Sequence, residues 1–210
     1  MLNVTRRWQA ERKREFYYRM AKKERYRSRA AYKLMQLNEK FKIINPGDRV
    51  VDLGCSPGGW SQVAADIVGA NGRVVGVDIK RMRPIEGVDF VLGDIRDKRT
   101  VATAIEKLGG SVDVVISDMA PNISGNYSTD HARSMELCEH ALGFARNALR
   151  EGGNFVVKVF EGDMYRDYFE SVGRHFRSVK AHNPKASRPT SSEIYIVAKG
   201  FIARQPPTFI

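Results

Sequence analysis

The sequence contains few cysteines and no long apolar run. Cys55 and Cys138 are its only cysteines, too few for a disulfide framework or a cysteine metal cluster. No stretch reaches the about eighteen consecutive apolar residues that a transmembrane helix needs, and the basic, polar N-terminus has no apolar leader segment. We therefore expect a soluble, cytoplasmic protein with reduced thiols.

Tracts rich in proline, glycine or serine are also missing, as are internal repeats. A chain of 210 residues is long enough for one α/β domain with a substantial core. We predict a single domain over residues 1–210. It comprises a basic N-terminal arm (1–33), a core (34–200) and a tail (201–210) to which we assign no role.

Positive charge is concentrated in the N-terminal arm. Residues 1–33 hold twelve Lys and Arg against three Glu, and the rest of the chain contributes only +2 to the net charge of +11. Dense positive charge attracts a polyanion by releasing counterions, and the arm's interleaved aromatic rings could stack on unpaired bases. No strong apolar face opposes the charge, which disfavours a membrane surface. The arm predicts RNA binding; a solvated helix whose rings pack on the core is the alternative.

A glycine-rich turn lies between a predicted strand and a predicted helix. The apolar run Arg49–Gly54 leads into the motif DLGCSPGGW at Asp52–Trp60. This arrangement lets a main chain approach a nucleotide-like ligand closely. Ser56 occupies a position where a dinucleotide-binding turn needs glycine, so a ligand with adenosine but no pyrophosphate fits better. The favoured cofactor is S-adenosylmethionine, and an ordinary tight turn is the alternative.

Acidic residues end the next two apolar runs. Asp78 closes the run Arg73–Ile79, about twenty residues past the glycines, where a carboxylate can accept both ribose hydroxyls. Asp94 lies in the run Val88–Ile95, where it could meet the edge of an adenine. Two acids at successive strand ends support a cofactor site.

Strands alternate with helices along the chain, which predicts a mostly parallel α/β sheet covered on both faces. The predicted strands are Arg49–Gly54, Arg73–Ile79, Val88–Ile95, Val112–Met119, Gly153–Phe160, Phe176–Ala181 and Glu193–Lys199, and the predicted helices lie near 60–68, 98–108, 131–149 and 163–173. The loop Pro184–Ser192 is too short for a crossover helix, so the last strand should pair antiparallel with the sixth or with another strand. Glu193, at its start, would then face the same crevice as Asp118.

Lys158 interrupts the otherwise apolar run Phe155–Phe160. Burial of an unpaired ammonium is strongly unfavourable. Lys158 should therefore either reach solvent from the strand end or lie in the crevice beside acids such as Asp118 and Glu193.

Two further segments carry hypotheses. The polar residues 121–130 predict either a mobile rim over the substrate or an idle surface loop. Glu136, Cys138 and His140 occupy alternate positions of one predicted helix, which do not share a face. We therefore predict no metal site there.

Several motifs together resemble one known family. They are RAAYKL at 29–34, DLGCSPGGW at 52–60, VD at 77–78, GD at 93–94, SDMAPN at 117–122, FVVKVF at 155–160 and SEIYIVA at 192–198. In order and spacing, from about residue 28 to residue 200, they resemble the FtsJ/RrmJ family of RNA ribose 2′-O-methyltransferases. The resemblance implies the class I methyltransferase fold, which is a Rossmann-like sheet of seven strands with the last one antiparallel.

The resemblance also implies site residues. A Lys-Asp-Lys-Glu tetrad would comprise Lys33, Asp118, Lys158 and Glu193, with Lys158 accepting the proton of the ribose 2′-hydroxyl or, alternatively, staying charged and stabilising the developing alkoxide. The implied residues for S-adenosylmethionine are Gly54, Ser56, Pro57, Gly58, Gly59, Trp60, Asp78, Asp94, Ile95 and Asp118. The candidates for RNA binding are Arg27, Arg29, Lys185 and Arg188.

The expected substrate is a uridine in large-subunit ribosomal RNA, because compact members of the family with a short basic arm act there. Transfer RNA is the alternative substrate, and a non-catalytic RNA-binding assembly factor is the alternative function. A nicotinamide-dependent oxidoreductase is disfavoured by Ser56. We expect a monomer whose chemistry needs no metal.

Overall fold

The computed structural model describes residue 12 and residues 15–122, 124–188 and 192–203. The helices are α1 (15–23), α2 (Ala31–Phe41), α3 (Gly59–Val68), α4 (Lys98–Leu108), α5 (Tyr127–Ala148) and α6 (Tyr165–Gly173). The strands are β1 (Arg49–Leu53), β2 (Arg73–Asp78), β3 (Val88–Leu92), β4 (Val112–Ser117), β5 (Leu149–Phe160), β6 (Phe176–His182) and β7 (Glu193–Phe201).

The seven strands form one sheet in the order β3-β2-β1-β4-β5-β7-β6. Strands β1 to β5 pair in parallel, and β7 lies antiparallel between β5 and β6. The predicted fold class is confirmed, including the antiparallel last strand. The strand order reverses between β1 and β4, and ligands of such sheets bind in the crevice beyond the carboxyl ends at that point.

Helices cover both faces of the sheet, as predicted. On one face α2 and α3 pack through Leu34, Leu37 and Val63 against inward-facing residues such as Val50 and Ile116. On the other face α4, α5 and α6 cover the alternate strand residues. Because the central strands are buried on both faces, they read as nearly continuous Val and Ile runs. Among the described helices, none has both the length and the apolar character needed to cross a membrane.

Three elements begin two or more residues away from their predicted starts, and helix α2 is not among the predicted helices. Helix α5 begins at Tyr127 instead of 131, because the Asn126 side chain accepts a hydrogen bond from Thr129 N and caps the helix. Strand β5 begins at Leu149 instead of Gly153, since Leu149 pairs with β4 ahead of a register shift. Helix α6 begins two residues later than predicted, at Tyr165.

The N-terminal arm is partly packed on the core. Its proposed end at residue 33 falls inside α2, which begins at Ala31. Tyr17, Tyr26 and Tyr32 join a small apolar cluster, as the alternative interpretation expected, whereas Phe16 and Tyr18 are exposed. The remaining aromatic of the arm, at position 8, and the tail residues 204–210 lie outside the described residues.

Candidate active site

The carboxyl ends of β4 and β5, the start of β7 and the helix α2 meet at one crevice on the α2 face of the sheet. Lys33 lies on α2, Asp118 directly follows β4, and Lys158 lies near the end of β5. Glu193 begins β7, as expected for an antiparallel strand entering from that edge. The fold therefore brings together four residues that are far apart in the sequence.

Two ion pairs form the centre of this crevice. Lys33 Nζ lies 2.6 Å from Glu193 Oε1, and Lys158 Nζ lies 3.1 Å from Asp118 Oδ1. Lys158 also donates a hydrogen bond of 2.6 Å to the Asp118 main-chain carbonyl. Only 5% of Lys33 and 8% of Lys158 is exposed. Each buried ammonium thus has the carboxylate partner that burial requires, and Lys158 lies in the crevice and not in solvent.

Tyr195 links the two ion pairs and is absent from the predicted site residues. Its hydroxyl accepts a hydrogen bond of 3.0 Å from Lys33 and donates one of 2.6 Å to Asp118 Oδ1. Alternate residues of a strand share a face, so Tyr195 lies on the same face as Glu193. Its register partner on β5 is Lys158. This alternation is the sequence signal that could have identified Tyr195.

The surrounding charges hold Asp118 in its ionised form. Burial acts to raise the pKa of Asp118, but the two ammonium groups and the Tyr195 hydroxyl outweigh it and hold that pKa below its ordinary value. Burial and the nearby carboxylates raise the pKa of Tyr195 well above its ordinary value. At neutral pH the site therefore contains an anionic Asp118 and a neutral Tyr195 that donates to it.

The turn between β1 and α3 (residues 54–58) runs along the same edge of the sheet. Gly54 has a φ of +74°, and a Cβ there would lie 2.3 Å from Met119 Cγ, so only glycine fits. Beneath the turn, Ser61 donates a hydrogen bond of 2.6 Å to Asp52 Oδ2. Asp52 Oδ1 is buried and has no partner among the described residues. Burial raises the pKa of Asp52 to about 7.

Asp78 and Asp94 lie at the ends predicted for them. The Asp78 carboxylate accepts one hydrogen bond from Ser56 N and one from Lys80 N, at 2.9 and 2.7 Å. Each oxygen keeps a further lone pair for a ligand. Asp94 instead forms an ion pair with Arg96, at 2.6 Å between Nη2 and Oδ2. A small polar ligand in this crevice would thus find a close main-chain approach, an acceptor at Asp78 and an unpaired buried oxygen.

Comparison with known proteins agrees with this geometry. Residues 26–201 match the FtsJ-like methyltransferase family. The chain belongs to this family. Ribosomal RNA large subunit methyltransferase E of Methanothrix thermoacetophila is 53% identical over 189 residues, covering 90% of this chain and 73% of that relative. The protein of the same description from Methanocaldococcus jannaschii is 49% identical over 205 residues, covering 95% and 84% respectively.

A solved structure gives the same result for the fold. The crystal structure of a ribosomal RNA methyltransferase from Plasmodium falciparum matches with a TM-score of 0.77 and 32% identity. The match covers 85% of this chain and 100% of that one. The predicted family is therefore confirmed, and this chain is an FtsJ-like methyltransferase.

The other residues of this FtsJ-like methyltransferase that are expected to bind the cofactor differ in their position and burial. The Trp60 indole is buried, donates to Ala30 O at 2.8 Å and packs on the Tyr195 ring. Any contact of Trp60 with a cofactor is therefore made by its main chain. Pro57 belongs to the turn, and Gly59 is the first residue of α3. Ile95, next to Asp94, is half-buried against the core.

The four candidate RNA residues of this FtsJ-like methyltransferase do not form one cluster. Lys185 and Arg188 are exposed on the β6–β7 loop, whose residues 189–191 lie outside the described part. Arg29 donates to Ala186 O at 3.4 Å and so lies beside that loop. Arg27 lies elsewhere, and its guanidinium donates to carbonyl oxygens beside the β1–α3 turn.

Residues 124 and 125 of the loop after Asp118 are hydrogen-bonded to the first turn of α5, and residue 123 of this loop lies outside the described part. Ser124 N and Oγ donate to Asp130 Oδ1 at 2.8 and 2.7 Å, and Gly125 N donates to Oδ2 at 3.0 Å.

Within the described residues, no group of three His, Cys, Asp or Glu side chains is placed to hold a metal ion. Cys138 is buried, and its thiol donates to Lys158 O.

Proposed function

We propose that this chain methylates a ribose 2′-hydroxyl of large-subunit ribosomal RNA with S-adenosylmethionine as methyl donor. The observation that carries the proposal is the pairing of Lys33 with Glu193 and of Lys158 with Asp118 around the Tyr195 hydroxyl. The names of the most similar relatives support the choice of ribosomal RNA. A binding protein would have no need of two lysines buried in its sheet crevice.

The turn and the acids at the strand ends support the choice of cofactor. Residues 54–58 would accept the cofactor against their main chain, and Asp78 would accept the ribose hydroxyls. Asp94 and Ile95 would lie beside the adenine, and Asp118 near the methionine end. S-adenosylmethionine supplies a methyl group bound to a positively charged sulfur. The unpaired Asp52 Oδ1 and the tight packing at Gly54 are consistent with a small polar ligand at this edge.

In this proposal Lys158, as the neutral amine, accepts the proton of the ribose 2′-hydroxyl while that oxygen attacks the methyl group. The bond between the methyl carbon and sulfur breaks as the new oxygen–carbon bond forms. Its two contacts with Asp118 hold Lys158 Nζ in the crevice. Lys33 and Glu193 would orient the ribose on the opposite side of the Tyr195 hydroxyl. Holding the nucleophile in line replaces an improbable encounter and supplies much of the rate.

The test is methyl transfer from labelled S-adenosylmethionine to RNA, followed by digestion to nucleosides and mass spectrometry. We expect one 2′-O-methylated uridine in large-subunit ribosomal RNA or in the assembled large subunit. Modification confined to transfer RNA would establish the alternative substrate. Methylation on a base, or no transfer to any RNA together with no binding of S-adenosylmethionine, would contradict the proposal.

Asp78→Ala should weaken binding of S-adenosylmethionine by about 1.5–3 kcal/mol, since charge-assisted hydrogen bonds to the ribose are lost. Isothermal titration on the protein without RNA measures this directly. The matched control is Asp89→Ala, an exposed acid on the neighbouring strand β3, for which affinity should not change. Equal affinity of the Asp78 variant and the wild type, with both folded, would remove Asp78 from the cofactor site.

Neutralising two exposed lysines of α1 tests whether the basic arm binds RNA. Lys22→Gln combined with Lys23→Gln should weaken RNA binding about tenfold in low salt and reduce the slope of log affinity against log salt by about one to two. The control replaces Lys98 and Lys107, two exposed lysines on α4, by Gln. If both pairs weaken RNA binding equally, the arm has no special role in it.

A further inference from the structure

Residues 24–30 join α1 to α2 and lie directly on α3. Arg27 N donates to Gln62 Oε1 at 2.8 Å, and Gln62 Nε2 donates back to Arg25 O at 3.2 Å. At the other end, Ala30 O accepts the Trp60 indole N–H at 2.8 Å. The basic arm is thus attached to the first turns of the helix that follows the β1–α3 turn.

The Arg27 guanidinium binds main-chain carbonyls of two different loops. Nη1 donates to Pro57 O in the β1–α3 turn at 3.3 Å and to Arg83 O at 2.5 Å. Nη2 donates to Pro84 O at 2.5 Å. Arg83 and Pro84 belong to the loop that follows β2, and β2 ends at Asp78. One side chain therefore ties together the two loops that flank Asp78.

The aliphatic part of Arg27 packs against the same turn. Gly58 has a φ of +112°, and a Cβ there would lie 3.1 Å from Arg27 Cδ and 2.5 Å from Ile85 Cδ1. Arg27 and the β2 loop thus occupy the space beside Gly58, and Arg27 is half-buried. A surface cation that binds phosphates would keep its guanidinium in solvent, whereas this one is directed at carbonyl oxygens.

We propose that Arg27 is a positioning residue for the cofactor, acting through residues 54–58 and the β2 loop, and not a phosphate-binding residue of the arm. The inference rests on the proposed use of S-adenosylmethionine. Its physical basis is the planar fork of the guanidinium, which can donate to several carbonyls at once. A lysine in its place carries the same charge on a single nitrogen and cannot span the same three oxygens.

The experiment measures binding of S-adenosylmethionine to the full chain without RNA, by isothermal titration. We expect Arg27→Ala and Arg27→Lys each to raise the dissociation constant about tenfold. Arg166→Ala, which removes an exposed guanidinium from α6, should leave the dissociation constant unchanged. The carbonyls that Arg27 leaves behind face solvent, so the melting temperature of the unliganded variants should fall by only a few degrees.

Two further measurements separate positioning from other roles. At saturating RNA, Arg27→Ala should raise KM for S-adenosylmethionine while kcat at saturating cofactor changes less than about threefold. The salt dependence of RNA binding should not change. Wild-type cofactor affinity in Arg27→Ala, or full rescue by Arg27→Lys, would overturn the proposal. If the wild-type protein does not bind S-adenosylmethionine at all, the proposed function fails first.

Discussion

Lys158→Ala should abolish methyl transfer, with kcat lowered by roughly a thousandfold or more. The side chain acts on the ribose hydroxyl and not on the cofactor, so affinity for S-adenosylmethionine should stay within about tenfold. Single-turnover methylation of the RNA measures the first effect, and isothermal titration measures the second. Lys180→Ala, an exposed lysine on the edge strand β6, is the control and should keep wild-type activity.

Lys158→Arg separates the two roles considered for this residue. A guanidinium stays protonated at any accessible pH, so it cannot accept the hydroxyl proton. If Lys158 is the proton acceptor, the arginine variant should be as inactive as the alanine variant. Substantial activity with arginine would favour a charged Lys158 that stabilises the alkoxide. Wild-type activity with alanine would remove Lys158 from the mechanism.

Asp118→Ala should lower the free energy of unfolding by roughly 3 kcal/mol at neutral pH. The substitution leaves the buried Lys158 ammonium without its carboxylate partner and removes the anion to which the Tyr195 hydroxyl donates. Equilibrium denaturation in urea measures the change. Adding Lys158→Met should restore most of the lost stability, because the second substitution removes the cation left unpaired. A double variant no more stable than Asp118→Ala would contradict this account.

The pH dependence of this stability has a defined sign. The pKa of Asp118 is lower in the folded protein than its ordinary value of 3.8. Its contribution is therefore fully present above about pH 4 and disappears as the pH falls through the folded-state value. The difference in stability between the wild type and Asp118→Ala should be constant from pH 5 to 8 and shrink in acid. A difference that grew on acidification would exclude an ionised Asp118 in the folded state.

The four residues of the tetrad show how much of the candidate site can be predicted from where the strands begin and end. Asp118 and Glu193 follow from the rule that parallel strands end, and an antiparallel strand begins, at the same sheet edge. Lys158 was conspicuous because a charge interrupted an apolar run. Tyr195 was missed because a tyrosine in an apolar strand is ordinarily core, and only its register opposite Lys158 shows what its hydroxyl contacts.

The arm shows where charge counting misleads. Arg27 and Arg29 count equally in the net charge of the arm, but one binds carbonyls beside the β1–α3 turn and the other lies beside the β6–β7 loop. For Trp60, which stays a predicted cofactor residue, the structure shows that the indole donates to Ala30 O, so only its main chain is available to a ligand. Composition identifies a basic segment, whereas the partner of each side chain depends on what packs against it.

The amino-acid sequence by itself determined the seven strands and the helices α3 to α6 in their order, the parallel sheet with its antiparallel last strand, and the acids at the carboxyl edge. These features follow from periodicity and loop length, which act over short stretches of chain. Only the tertiary structure decided that Lys33 of α2 pairs with Glu193 of β7, that Tyr195 links both ion pairs, and that Arg27 joins two loops. Those contacts join segments many residues apart, so they exist only once the sheet and its helices have packed.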